Sequence, residues 1–237
     1  MSNPDDLLVR LARAIATTPA TDALSERLCL ASRDLAGADA AALTVVYAQS
    51  DRVTLCATDA VSARLEDLQD VMGEGPGLSA VIDRQVTVCA LGTFGAQRWP
   101  GFAEAAVEVA GPLTVHAVPM LPADRPFGVM TLYQVEHTAQ PLALDRDTLL
   151  RLASATGAAL IRDPQAVEDD LDRGPWSSRA KVHQATGMVV AQLGLGIDDA
   201  LAVLKAHAYA GDTTLDDVAT HVLDHTIRFH QPGSDDD

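Results

Sequence analysis

Apolar residues along this chain recur first at helical spacing, then at a period of two, then at helical spacing again. Over residues 5–18, Leu7, Leu8, Leu11, Ala14 and Ile15 mark one helical face, and Pro19 ends the run. A second helix is predicted over 21–36, opened by Thr21 or Asp22 as a cap and closed by Gly37. The runs 38–48 and 52–58 are rich in β-branched residues and flank the polar turn QSD, so they read as a hairpin. A helical stretch near 61–71 leads into GEGPG at 73–77, followed by a turn or two of helix over 78–84 and a short strand over 84–88. Trp99-Pro100 opens an alanine-rich helix to about 110. The strands 112–121 and 125–135 then form a second hairpin around PAD. Asp145 caps a helix running to 162.

Helices at both ends of a strand meander predict an α+β domain, an antiparallel sheet backed by helices. The acidic, proline-bearing stretch RDPQAVEDDLDRGPW (162–176) reads as a solvated linker. Beyond it the pattern is all helix, at about 177–194, 197–210 and 213–229, with glycines 194, 196 and 211 as separators. The organisation expected is an α+β domain over 1–163, a linker over 164–174, a small helical domain over 175–230 and a disordered tail over 231–237. A helix interior is an uneconomical place for Gly187, where glycine costs about 1 kcal/mol relative to alanine. The small residues Ala185, Gly187 and Ala191 therefore predict a close helix crossing.

Length and composition narrow the picture. The 237 residues suit one ordinary domain plus a small one, and 48% hydrophobic residues with only 4% aromatic ones imply a core of Ala, Val and Leu. A net charge of −16 disfavours long-range attraction to nucleic acid or anionic membranes, so any RNA binding must come from a local patch. The N-terminus lacks the basic start of a signal peptide, and no apolar run approaches the roughly 18 residues of a membrane span. A cytoplasmic protein is the expectation.

Candidate chemistry is sparse. His221 and His225 stand four apart, but H-V-L-D-H lacks the glutamate of H-E-x-x-H, and solvated helical histidines are the preferred reading over a metal site. GEGPG lacks the lysine of a phosphate-binding loop. Of the three cysteines, Cys29 and Cys56 read as core residues, and Cys89, ending a short strand, is expected to be the most exposed. No catalytic constellation and no cofactor are expected. In the helical end, Arg179, Gln184, Lys205 and Tyr209 have the chemistry to contact RNA, but charge alone favours an ordinary solvated face.

Residues 178–224 nevertheless resemble the ANTAR domain, the RNA-binding antiterminator module of bacterial regulators. Arg179, Ala185–Gly187 with Met188, Gly194, Ala200 with Leu204, Ala208 and the L-x-x-V-A motif Leu215–Ala219 carry the resemblance. The first two-thirds resembles a GAF domain of the kind fused to ANTAR modules in actinobacteria, through GEGPG, R-W-P-G-F at 98–102 and the run from Pro119 to Tyr133. This resemblance implies a non-enzymatic homodimer, pairing through the helices at 5–18 and 145–162, that binds hairpins in nascent leader transcripts and so prevents termination. It implies RNA contacts from Arg179, Gln184, Lys205, Tyr209, Thr213 and Thr214. A ligand of the GAF half would lie between strands 112–121 and 125–135 and segment 73–99, its residues undefined. The chain departs from the family pattern at Thr186, commonly lysine, at the acidic stretch after Tyr209, and at Gly77, where relatives often carry cysteine. Two alternatives stand beside this reading: a thiol redox enzyme or sensor built on the GAF half, and a protein-interaction regulator without RNA binding.

Overall fold

The protein is described from a computed structural model covering residues 4–19, 23–48, 51–92, 98–135, 141–162, 175–211 and 213–229. Residues 164–174 and 231–237, read as linker and tail, lie outside the described residues. The chain divides into two compact units, Met1–Leu171 and Asp172–Asp237.

In the first unit, α1 (Pro4–Thr17) and α2 (Leu24–Ala36) precede a hairpin of β1 (Ala40–Ala48) and β2 (Asp51–Ala57). Helices α3 (Ala60–Met72) and α4 (Pro76–Asp83), strand β3 (Thr87–Ala90) and helix α5 (Pro100–Ala110) follow. The second hairpin pairs β4 (Leu113–Met120) with β5 (Gly128–Val135), and α6 (Arg146–Arg162) closes the unit. The five strands form one antiparallel sheet in the order β2-β1-β5-β4-β3. The fold is α+β, as the pattern of elements implies.

Strand alternation divides the side chains between two layers of helix. On one face Leu43, Val45, Val118, Met130 and Leu132 pack with Leu28 of α2 and with Leu149, Leu152 and Leu160 of α6. On the other, Ala42, Val115 and Tyr133 pack with Leu65 and Leu68 of α3 and Phe102 of α5. Alanines and valines fill much of this core, so the helices sit close to the sheet. Ala80 of α4 rests directly over Ala117 and Val129.

The element boundaries have local causes. Helix α2 begins after Ala23, which caps it without a side-chain hydrogen bond, rather than after Thr21 or Asp22, which lie outside the described residues. It ends at Gly37 in the left-handed conformation. Asp145 Oδ1 accepts from the Thr148 amide at 2.8 Å and so caps α6. Strand β3 lies further along the chain than the predicted 84–88, because Arg84 takes a left-handed conformation to end α4. Ala123 and Asp124 both have positive φ at the tight connection between β4 and β5, a geometry that suits the twist of a hairpin.

The second unit consists of α7 (Pro175–Leu193), α8 (Ile197–Ala210) and α9 (Leu215–Leu223). Its core is small-residue helix packing: Ala185 and Val189 of α7, Ala200, Leu204 and Ala208 of α8, and Val218, Ala219 and Val222 of α9. Helix α9 is shorter than the predicted 213–229. It stops at Leu223, and His225 beyond it takes a left-handed φ of 58°. His221 and His225 therefore do not share a helical face. The chain then returns over its own helices: the Phe229 amide donates to Gln192 Oε1 at 3.0 Å, and its ring meets the His207 ring edge-on at 5.5 Å.

Candidate nucleic-acid interface and sensor-domain motifs

Helix α8 sorts its residues cleanly. Ala200, Leu204 and Ala208, four apart, face the core, leaving Ala202, Ala206 and Tyr209 exposed and Lys205 half-buried among them. Tyr209 is 52% exposed. The result is a flat strip of alanines carrying one aromatic ring and one ammonium group, a surface on which a base can stack and a phosphate can be met.

Helix α7 presents a second flat strip, Gln184, Gly187 and Ala191, all exposed. The predicted close crossing at Gly187 is not found. A Cβ placed on Gly187 would meet nothing within 4 Å, and only Ala185 of the three small residues is in the core. Thr186 is on the buried side, its hydroxyl donating to the Val182 carbonyl at 2.7 Å. Arg179 lies on α7 with its side chain outside the described residues.

Thr213 and Thr214 flank the start of α9 and are committed to it. Thr214 Oγ1 accepts from the Asp217 amide at 3.1 Å, and both hydroxyls donate to Asp217 Oδ2, at 2.8 Å from Thr214 and 3.2 Å from Thr213. These bonds hold the Asp217 carboxyl below its ordinary pKa, the Thr214 bond most strongly. Lys181 lies 3.7 Å from Asp216, a half-exposed pair that ties down one of the unit's few cations.

In the first unit, the two short motifs of the sequence meet. Glu74 of GEGPG accepts from the Phe102 amide of R-W-P-G-F at 2.8 Å, at the open start of α5. Trp99 Nε1 donates to Ser79 Oγ of α4 at 3.0 Å. Gly75, at φ +145°, lets the chain pass Gln69, since a Cβ there would come within 2.5 Å of that side chain. Gln69 Oε1 in turn accepts from the Gly77 amide at 2.7 Å.

Beneath these motifs lies a buried polar cluster with no local signal in the sequence. Glu66 of α3 accepts from Arg52 of β2 at 2.6 Å, from Thr44 of β1 at 3.1 Å and from Tyr133 of β5 at 2.8 Å. Burial and the neighbouring carboxylate push the Tyr133 phenol well above its ordinary pKa. Among the described residues, Gln69 Nε2 and Thr131 Oγ1 are buried on this same side of the sheet without a hydrogen-bond partner.

Cys29 lies in the core and Cys56 packs against it, as expected, but Cys89 is not exposed. Cys89 is buried, 1% exposed, because it points from β3 toward α5 while its neighbour Val88 faces solvent. Burial raises its thiol pKa. Cys29 and Cys56, 27 residues apart, are brought together between α2 and β2. Among the described residues no cluster of three potential metal ligands occurs, and no helix is long and apolar enough to cross a membrane.

Residues 176–223, within this three-helix unit, match the ANTAR domain family. No curated protein matches the chain. Among solved structures it is similar to the wild-type phytochrome photosensory core module of Stigmatella aurantiaca, at 12% identity and a TM-score of 0.37. That alignment covers 85% of this chain and 44% of the other, so the chain spans less than half the length of that module.

Proposed function

We propose that this protein is a signal-responsive transcription antiterminator, whose ANTAR unit binds hairpins in the leaders of nascent transcripts under control of a GAF-type sensor domain. The ANTAR match over residues 176–223 carries this reading. Tyr209 and Lys205, on the open strip of α8, supply stacking and phosphate contact, and Gln184 on α7 and Arg179 supply polar contacts. Thr213 and Thr214 act at the start of α9, where their bonds to Asp217 fix the turn that follows Tyr209.

Control requires two states with different affinities for a signal. The sensor's ligand is placed on the side of the sheet facing α3 and α4, near GEGPG. The unpartnered Gln69 Nε2 and Thr131 Oγ1 support that placement, because buried polar groups are normally satisfied. Two copies pair through α1 and α6, a reading supported by Leu8, Val9 and Ile161, which lie 52%, 48% and 47% exposed on these helices.

The test is crosslinking of the full chain to RNA in its native cells, followed by immunoprecipitation and sequencing. Enrichment of leader segments that carry paired hairpins ahead of a terminator is expected. Recovery of no hairpin-bearing leader, in growth conditions spanning starvation and stress, overturns the antiterminator reading in favour of a protein-interaction regulator.

A further inference from the structure

Between helix α2 and strand β2 two thiols meet that the RNA-binding reading does not use. Cys29 is fully buried in the core, with Sγ 3.5 Å from the Ala41 carbonyl and 3.9 Å from the carbonyl of Cys56. Cys56 packs against the same core that holds Cys29, and its side chain, together with burial, raises the Cys29 thiol pKa. Cys56 is partly exposed. The pair thus has the parts of a two-step oxidation site: a partly exposed cysteine on the border strand, and a buried one whose sulfur lies beside that residue inside the fold.

We propose that Cys29 and Cys56 form an oxidation site for peroxides, closing to an intramolecular disulfide within the N-terminal unit. Cys56 gives up its thiol proton and its sulfur attacks the outer oxygen of a hydroperoxide; the O–O bond breaks and the leaving oxygen takes that proton, so the products are Cys56 sulfenic acid and the alcohol, or water when the oxidant is hydrogen peroxide. Cys29 sulfur then attacks the Cys56 sulfur and the S–O bond breaks, with the Cys29 proton leaving in the water formed. Two thiols are oxidised and one peroxide is reduced. A dithiol reductant reverses the change. The product staples α2 to the outer strand of the sheet across 27 residues of chain. Cys89 takes no part, because it lies buried on the opposite face of the sheet. The proposal holds whether or not the helical unit binds RNA.

The experiment uses the reduced full chain, treated with hydrogen peroxide under native conditions, unfolded in a thiol-alkylating reagent and measured by intact mass and non-reducing peptide mapping. The expected product has lost two hydrogens, carries alkylation at Cys89 alone and yields a linked peptide pair containing Cys29 and Cys56, all reversed by dithiothreitol. A Cys56→Ser variant that keeps the native circular dichroism spectrum should form no link, and Cys89→Ser should form it unchanged. Three alkylated thiols after treatment, oxygen added to Cys56 without a link, or a link through Cys89 or between two chains each overturns the proposal.

Discussion

Arg52 and Glu66 form an ion pair of 2.6 Å in which the two side chains are 2% and 0% exposed. Thr44 and Tyr133 satisfy the carboxylate, whereas among the described residues Arg52 Nε and Nη1 are buried without a hydrogen-bond partner and Nη1 lies 3.5 Å from Asp70. Glu66→Leu leaves the buried guanidinium with only the partly exposed Asp70, 3.5 Å away, as a charge partner and should destabilise the N-terminal unit by up to roughly 3–5 kcal/mol. The double variant Arg52→Met, Glu66→Leu, which removes both charges, should recover most of that loss. Urea unfolding followed by tyrosine and tryptophan fluorescence measures both. A double variant as unstable as the single one would mean the loss comes from packing rather than from the unpaired charge.

Thr214 caps α9 through the Asp217 amide. Thr214→Ala should lower the stability of the helical unit by about 1 kcal/mol, read as an earlier loss of helical circular dichroism on heating.

Asp217 makes the same helix start sensitive to acid. Its folded-state pKa lies below the unfolded value because the threonine hydroxyls and the Thr214–Asp217 turn hydrogen-bond the charged carboxylate. The resulting stabilisation is complete above the unfolded aspartate value, about 3.9, and is lost as pH falls through the folded one. Unfolding measured between pH 5 and pH 2 should show this dependence, and Asp217→Asn should flatten it.

Gly187 has no neighbour where a side chain would begin. Gly187→Ala should therefore stabilise the helical unit by about 0.5–1 kcal/mol. A variant that gains this stability yet loses leader binding in a mobility-shift assay would show that the bare strip meets RNA or a second chain at backbone distance. One that gains stability with unchanged binding would leave the glycine without an interface.

Tyr209 and Lys205 separate stacking from charge. Tyr209→Ala should weaken binding to a leader hairpin by about 1–3 kcal/mol, the range for loss of one stacked base. Lys205→Gln should weaken it across sequences and reduce the slope of affinity against salt by about one. Fluorescence anisotropy over a salt series distinguishes the two, and an unchanged slope for Lys205→Gln removes that residue from the phosphate contacts.

What the sequence disclosed and what it concealed follow the reach of each signal. The β4–β5 hairpin was legible because its strands are continuous apolar runs around PAD, and α6 because Asp145 stands at its start. The end of α9 was not: no glycine marks it, and His225 takes the left-handed turn that a glycine would advertise. The pattern places strand β3 a few residues early, since nothing in Arg84 announces that it caps the helix before it. Cys89 was read as exposed from its place beside a loop, although strand alternation turned it inward and Val88 outward. The Arg52–Glu66–Tyr133 cluster and the Cys29–Cys56 contact join elements far apart in the chain, and no local periodicity encodes such a meeting. Gly187 was read as a packing glycine by analogy with close helix crossings, and the open space beside it shows that an exposed helical glycine leaves the same trace in sequence.

The borders of the sheet set how copies of this chain can associate. Strand β3 is four residues long, and the β1–β2 pairing at the other border is broken by register shifts after Leu43 and after Val46. Short and bulged edges are poor templates for an added strand, so they guard against ribbon-like aggregation. Backbone pairing between copies is thereby disfavoured, and an interface built on helix side chains would depend on shape and could be tuned by single substitutions.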